Sequence, residues 1–157
     1  MKVVSIEQLS PVSVTGCQSL RFITASHNVG FSVNKTVIPK GDANRWHYKY
    51  HHEACYCISG YGILTNIETG ETFDIKPDTC YLLDNNDDHT FQAIEDTVLI
   101  SIFNPPLVGN EKHDEDGSYS ISEDTLSKYH LAKSIVEVVN NSTNDYDAIY
   151  EVQKLLK

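Results

Sequence analysis

Three histidines and a glutamate crowd into seven residues of this chain: His47, His51, His52 and Glu53, within His-Tyr-Lys-Tyr-His-His-Glu. Imidazole nitrogens beside a carboxylate are donors that metal sites use. The run passes straight into Ala54-Cys55-Tyr56-Cys57-Ile58-Ser59-Gly60, an alternating stretch that ends at a glycine. The cluster therefore stands at the mouth of a β-element. Asn34 and Thr36 are two apart and share one strand face, while Val33 and Val37 take the other. Facing inward, this polar pair suits a barrel-mouth pocket; facing outward, it is an ordinary solvent face. Arg21 sits in an apolar strand-like run, where it clamps a carboxylate in fork geometry or forms a surface salt bridge.

Positioning these groups is the task of a mostly β body. Strand-like runs are expected at 20–25, 31–39, 53–66, 71–75, 80–83, 89–94 and 97–103, separated by turn sequences such as Glu68-Thr69-Gly70 and Lys76-Pro77-Asp78. Short strands at this spacing read as a sandwich or jelly-roll-like barrel. Asn104-Pro105-Pro106 ends the strands, since consecutive prolines cannot continue a ladder. Beyond residue 120 the periodicity becomes helical, with a break at Asn140 to Asp145 and a second short helix after it. The fold class is all-β, a barrel over residues 1–120 with a short C-terminal helical extension over 121–157, expected to pack on the barrel or on a partner subunit.

Bulk properties exclude several roles. The 157 residues suit a single core, and 40% are apolar. A formal charge of −10 with only 12 basic residues argues against nucleic acid as partner. No secretory leader and no membrane-length apolar stretch is visible, so a cytoplasmic location without membrane association is expected. Cys17, Cys55, Cys57 and Cys80 have neither zinc nor redox spacing and read as reduced, structural thiols.

The spacing Gly41-x5-His47-x-Lys49-x3-Glu53-x6-Gly60 resembles the first cupin motif, with a lysine where a second histidine is expected. A looser second motif runs from Gly70 through Pro77 and Thr79 to His89. The usual three-histidine site is therefore not expected. The run from Trp46 to Gly60, Asp74-Ile75-Lys76-Pro77-Asp78-Thr79-Cys80-Tyr81-Leu82-Leu83-Asp84, Phe103-Asn104-Pro105-Pro106-Leu107-Val108-Gly109 and His113-Asp114-Glu115-Asp116-Gly117 all resemble the ectoine synthase family of cupins. The resemblance spans roughly residues 1 to 120.

It implies an iron-dependent hydro-lyase that closes N-γ-acetyl-L-2,4-diaminobutyrate into the cyclic amidine ectoine with loss of water. It also implies a homodimer acting on a small molecule, an acylated diamino acid. The matching metal ligands are Glu53, Tyr81 and His89, holding Fe(2+); their oxygen-rich donor set suits iron better than zinc. Read without the resemblance, two readings stay open: the three hold a metal, or Tyr81 is half-buried packing, His89 a surface residue and Glu53 a solvated strand start. The matching substrate positions include Ser19, Arg21, Asn34, Thr36 and Phe103. Tyr48, His51, Glu111 and His113 match active-site positions, with Tyr48 or His51 as base and His113, oriented by Glu111, as acid.

Two pocket positions depart: Cys17 replaces a family tryptophan and Ser101 a cysteine. Losing an indole removes an apolar wall. A related cyclase acting on another acylated diamino acid is therefore the first alternative, and a non-catalytic small-molecule-binding cupin the second.

Overall fold

The computed structural model describes residues 1–121 and 123–156, and of Asp124, Thr125 and Tyr129 only the backbone. Two units emerge, Met1–Ser120 and Ile121–Lys157. The first is mainly β, with two short 3₁₀ turns at Ile6–Gln8 and Ala25–His27. Its strands are β1 (Val12–Val14), β2 (Cys17–Ile23), β3 (Ser32–Ile38), β4 (Asn44–His47), β5 (His52–Ser59), β6 (Gly62–Asn66), β7 (Thr72–Ile75), β8 (Cys80–Leu83), β9 (Asp88–Ala93) and β10 (Thr97–Asn104).

They form a six-stranded sheet, β1–β2–β3–β10–β5–β8, and a four-stranded one, β4–β9–β6–β7. All pairings are antiparallel. This is the expected jelly-roll type of barrel. Period-two burial makes it work: along β10, Thr97, Leu99, Ser101 and Phe103 are buried, and along β9, His89, Phe91 and Ala93. Each fully buried large apolar side chain, such as Phe91, Ile38 or Leu99, contributes roughly 1.5–3 kcal/mol. Trp46 stacks on Phe91 and donates its indole N–H to the Thr15 carbonyl at 3.0 Å.

Two strands, β1 and β4, were not anticipated, and the expected strand over 53–66 is two. It breaks at Gly60, whose φ of +87° and proximity to the Asp96 carbonyl leave no room for a side chain: a Cβ would stand 2.3 Å from that oxygen. The chain turns there from the six-stranded sheet to β6 of the other.

The second unit is a pair of contacting helices, α1 (Glu123–Asn141) and α2 (Asp145–Leu155). Asn144 caps α2, its side chain accepting from the Asp147 amide at 3.1 Å.

Candidate active site

Cross-strand register sets the interior of the six-stranded sheet in rows. One row reads Arg21, Asn34, Ser101, Cys55, Tyr81 across β2, β3, β10, β5 and β8. On one side of it lie Ser32, Phe103, Glu53 and Leu83, and on the other Ser19, Thr36, Leu99 and Cys57. Directly paired residues share a face, so these side chains all point into the barrel. Ser19, Arg21, Asn34, Glu53, Cys55, Ser101 and Phe103 are buried. Most of these polar groups bond one another, and Asn34 is left with both side-chain polar atoms unpartnered.

Hydrogen bonds link part of this face. Thr36 Oγ1 lies 2.9 Å from Ser101 Oγ, which lies 3.1 Å from Cys55 Sγ, and Cys55 donates to Glu53 Oε1 at 3.2 Å. Burial pushes the Glu53 carboxyl up to about 7, opposed by the hydrogen bond from Cys55 and by the neighbouring Ser101 hydroxyl. The Tyr81 phenol is raised well above its usual range by burial, then by its neighbours Cys55 and Glu53. Cys17 is raised to about 12 by burial and by Glu53.

The facing sheet supplies His89, paired in register with Trp46 and Asn66. Its Nδ1 sits 2.9 Å from the Asp87 carbonyl, the position of a donated N–H. The lone pair is thereby left on Nε2, which is buried and has no partner. Tyr81 and His89 both line a cleft of about 490 Å³ between the edges of β7 and β8. Tyr48, whose phenol feels Glu53, has its ring 5.9 Å from that of His89.

A carboxyl raised to about 7, a phenol kept protonated by burial and an imidazole with a free lone pair are a donor set that a cation would satisfy. The residues present fit an iron ion. Among the described residues no group of three or more His, Cys, Asp or Glu side chains is gathered for a metal; this trio contains only two of those types.

Residues 105–120 cover the interior. Gly117 (φ +76°) passes so close to β4 that a Cβ would stand 2.6 Å from the Arg45 carbonyl. This approach sets Tyr119 against Tyr48, the two rings stacked at 5.3 Å. His113 packs edge-on to Tyr119 at 4.5 Å, with Nε2 3.4 Å from the Tyr48 hydroxyl. His51 stands edge-on to Phe103 and Tyr119. Burial lowers both His51 and His113 to about 4, so both are neutral near pH 7. Glu111 faces Arg21 (2.6 Å) and accepts from the backbone amides of Val108 and Gly109, and has no bond to His113.

Sequence reasoning missed Tyr119 and gave Cys55 only a structural role. Tyr119 lies outside any strand pattern, so nothing in the sequence marks it. Cys55 was visible only as an inward neighbour of Glu53 on the same strand.

The ectoine synthase family model matches residues 1–123. L-ectoine synthase of Oceanobacillus iheyensis is 46% identical over 104 residues, covering 66% of this chain and 81% of that one. The crystal structure of ectoine synthase from P. lautus superposes with a TM-score of 0.66 at 34% identity, over 69% of this chain and 81% of that one. An RmlC-like cupin from Shewanella frigidimarina, 14% identical, aligns with a TM-score of 0.54 over 67% of this chain and 91% of its own, sharing the fold alone. The barrel is a cupin.

Proposed function

From the premise that this chain belongs to the ectoine synthase family, and is an enzyme of that hydro-lyase type, we propose its substrate, cofactor and residue roles. The substrate is N-γ-acetyl-L-2,4-diaminobutyrate, closed to ectoine with loss of water. The cofactor is Fe(2+), held by Glu53, Tyr81 and His89. The observation that carries this reading is a set of buried, unpartnered polar atoms on Asn34, His51, His89 and His113 in one barrel interior, where each orphan costs about 1–3 kcal/mol unless a ligand satisfies it.

Ring closure moves two protons from the α-ammonium nitrogen to the amide oxygen, which departs as water. Bound iron supplies Lewis acidity toward the amide carbonyl. Neutral His51 accepts a proton from the α-ammonium, making the nitrogen nucleophilic. The Tyr48 phenol, kept protonated by burial, gives its proton to the departing oxygen, and His113 beside it passes protons along. Asn34 and Ser19 hold the polar chain of the substrate. Arg21, its charge paired with Glu111, braces the wall of the pocket. Phe103 and Tyr119 exclude water, and holding both reacting ends in one enclosure supplies proximity.

The test is anaerobic incubation of the iron-loaded protein with N-γ-acetyl-L-2,4-diaminobutyrate. A product lighter by one water is the expected outcome; iron-loaded protein without turnover contradicts the reading. Cys17 favours a second reading, a related cyclase for a bulkier acyl group. It places a thiol near Glu53 and Arg21 where a family indole is expected, and acyl-diamino acids of graded chain length discriminate the two. The family resemblance also supports a homodimer. We also propose a cytoplasmic location. Among the described residues, no helix is long and apolar enough to cross a membrane.

A further inference from the structure

We propose that Cys55 is a positioning residue for the Glu53 carboxylate, at the end of a hydrogen-bond chain that starts at Thr36 and runs through Ser101. The inference rests on the reading of Glu53 as an iron ligand. Three contacts define the chain: Thr36 Oγ1 to Ser101 Oγ at 2.9 Å, Ser101 Oγ to Cys55 Sγ at 3.1 Å, and Cys55 Sγ to Glu53 Oε1 at 3.2 Å.

Its polarity follows from the carboxylate end. An ionised carboxylate only accepts, so the Cys55 thiol donates to it. With its proton committed, the sulfur accepts from the Ser101 hydroxyl. Ser101 has then spent its own proton, so its oxygen accepts from Thr36. The hydrogen bonds therefore all point toward Glu53, and each donor polarises the next.

Geometry makes this chain more than packing. Ser101 and Cys55 are directly paired across β10 and β5, and Cys55 and Tyr81 across β5 and β8. Cys55 and Ser101 are each about 1% exposed, so no water competes for the bonds. The thiol thus neighbours two of the three assigned ligands and fixes one Glu53 oxygen. Outer-shell hydrogen bonds of this kind orient a ligand and tune its basicity.

The experiment measures Fe(2+) binding anaerobically by chelator competition in the full-length wild type, Cys55→Ala, Cys55→Ser, Ser101→Ala and Glu53→Ala, with melting temperatures for each. Cys55→Ala is expected to weaken iron binding roughly 10–100-fold, and Cys55→Ser, which keeps a donor, to restore most of it. Ser101→Ala is expected to fall between. In metal-free protein, the infrared S–H stretch assigned to Cys55 by difference against Cys55→Ala should lie below that of an unbonded thiol and rise in Glu53→Ala.

Wild-type affinity in Cys55→Ala, or equal weakening in the alanine and serine variants, overturns the role of Cys55. It leaves the iron site standing so long as Glu53→Ala fails to bind. An unshifted S–H stretch also overturns it. Wild-type protein that binds no iron removes both the inference and the iron reading beneath it.

Discussion

Arg21 and Glu111 form a buried ion pair, Nη1 to Oε2 at 2.6 Å, with side chains only 4% and 7% exposed. Arg21 Nη2 also donates to the Glu111 backbone carbonyl at 2.8 Å. The pair ties β2 to the segment that covers the site, and the guanidinium lies 5.4 Å from the Tyr119 ring centre. Removing one partner leaves the other buried and uncompensated. Glu111→Ala should therefore lower stability by about 3–5 kcal/mol in chemical denaturation. Glu111→Gln, which keeps one of the two acceptor oxygens that Val108 and Gly109 use, should cost less. A loss below about 1 kcal/mol, the range of exposed pairs, contradicts the buried reading.

Metal-free protein should lose stability on acidification partly through His113. Its folded pKa, about 4, lies below the ordinary value of 6.5 because of burial. The unfolded chain thus binds a proton first as pH falls, so the contribution is complete above 6.5 and lost between about 6.5 and 4. Glu53 acts oppositely. Raised to about 7, its contribution is complete below 4.5 and lost as pH rises through 7. His113→Asn isolates the first effect. Its urea-denaturation stability should vary less steeply with pH between 6.5 and 4 than that of the wild type, and an identical slope contradicts the assignment.

Cys17→Trp tests which acyl group the pocket takes. Cys17 is buried, near both Glu53 and Arg21, so an indole there narrows the interior. Turnover of longer acyl-diamino acids should fall more than that of the acetyl substrate, with an overpacking cost of about 1–3 kcal/mol. An unchanged preference across chain lengths means that residue 17 does not face the acyl group.

Gly60→Ala should destabilise by about 1–3 kcal/mol or more, since it needs positive φ and the new Cβ meets the Asp96 carbonyl. Thermal unfolding measures this, and a neutral result contradicts the turn as described.

That turn also marks where the sequence stopped being legible. Alternation in 97–103 or 89–94 is fixed by which residues can be buried, so those strands were readable to within a residue or two. Residues 53–66 look like one strand because apolar alternation continues through Tyr61; only the backbone at Gly60 breaks it. β4 was hidden because it is only four residues long and its His47 read as part of the site cluster. At the site, residue types were legible but partners were not. Arg21 read as a carboxylate clamp or a surface charge, and it is a buried partner of Glu111, 90 residues away. Such pairings depend on how residues 105–120 fold back, which no local pattern encodes.

Iron content is the decisive measurement. Protein purified anaerobically with Fe(2+) should hold an equimolar amount as wild type and lose most of it in Glu53→Ala, Tyr81→Phe and His89→Ala, while each variant keeps its far-UV circular dichroism. Full iron occupancy in all three folded variants would contradict the assignment of this carboxylate, phenol and imidazole as the metal's ligands.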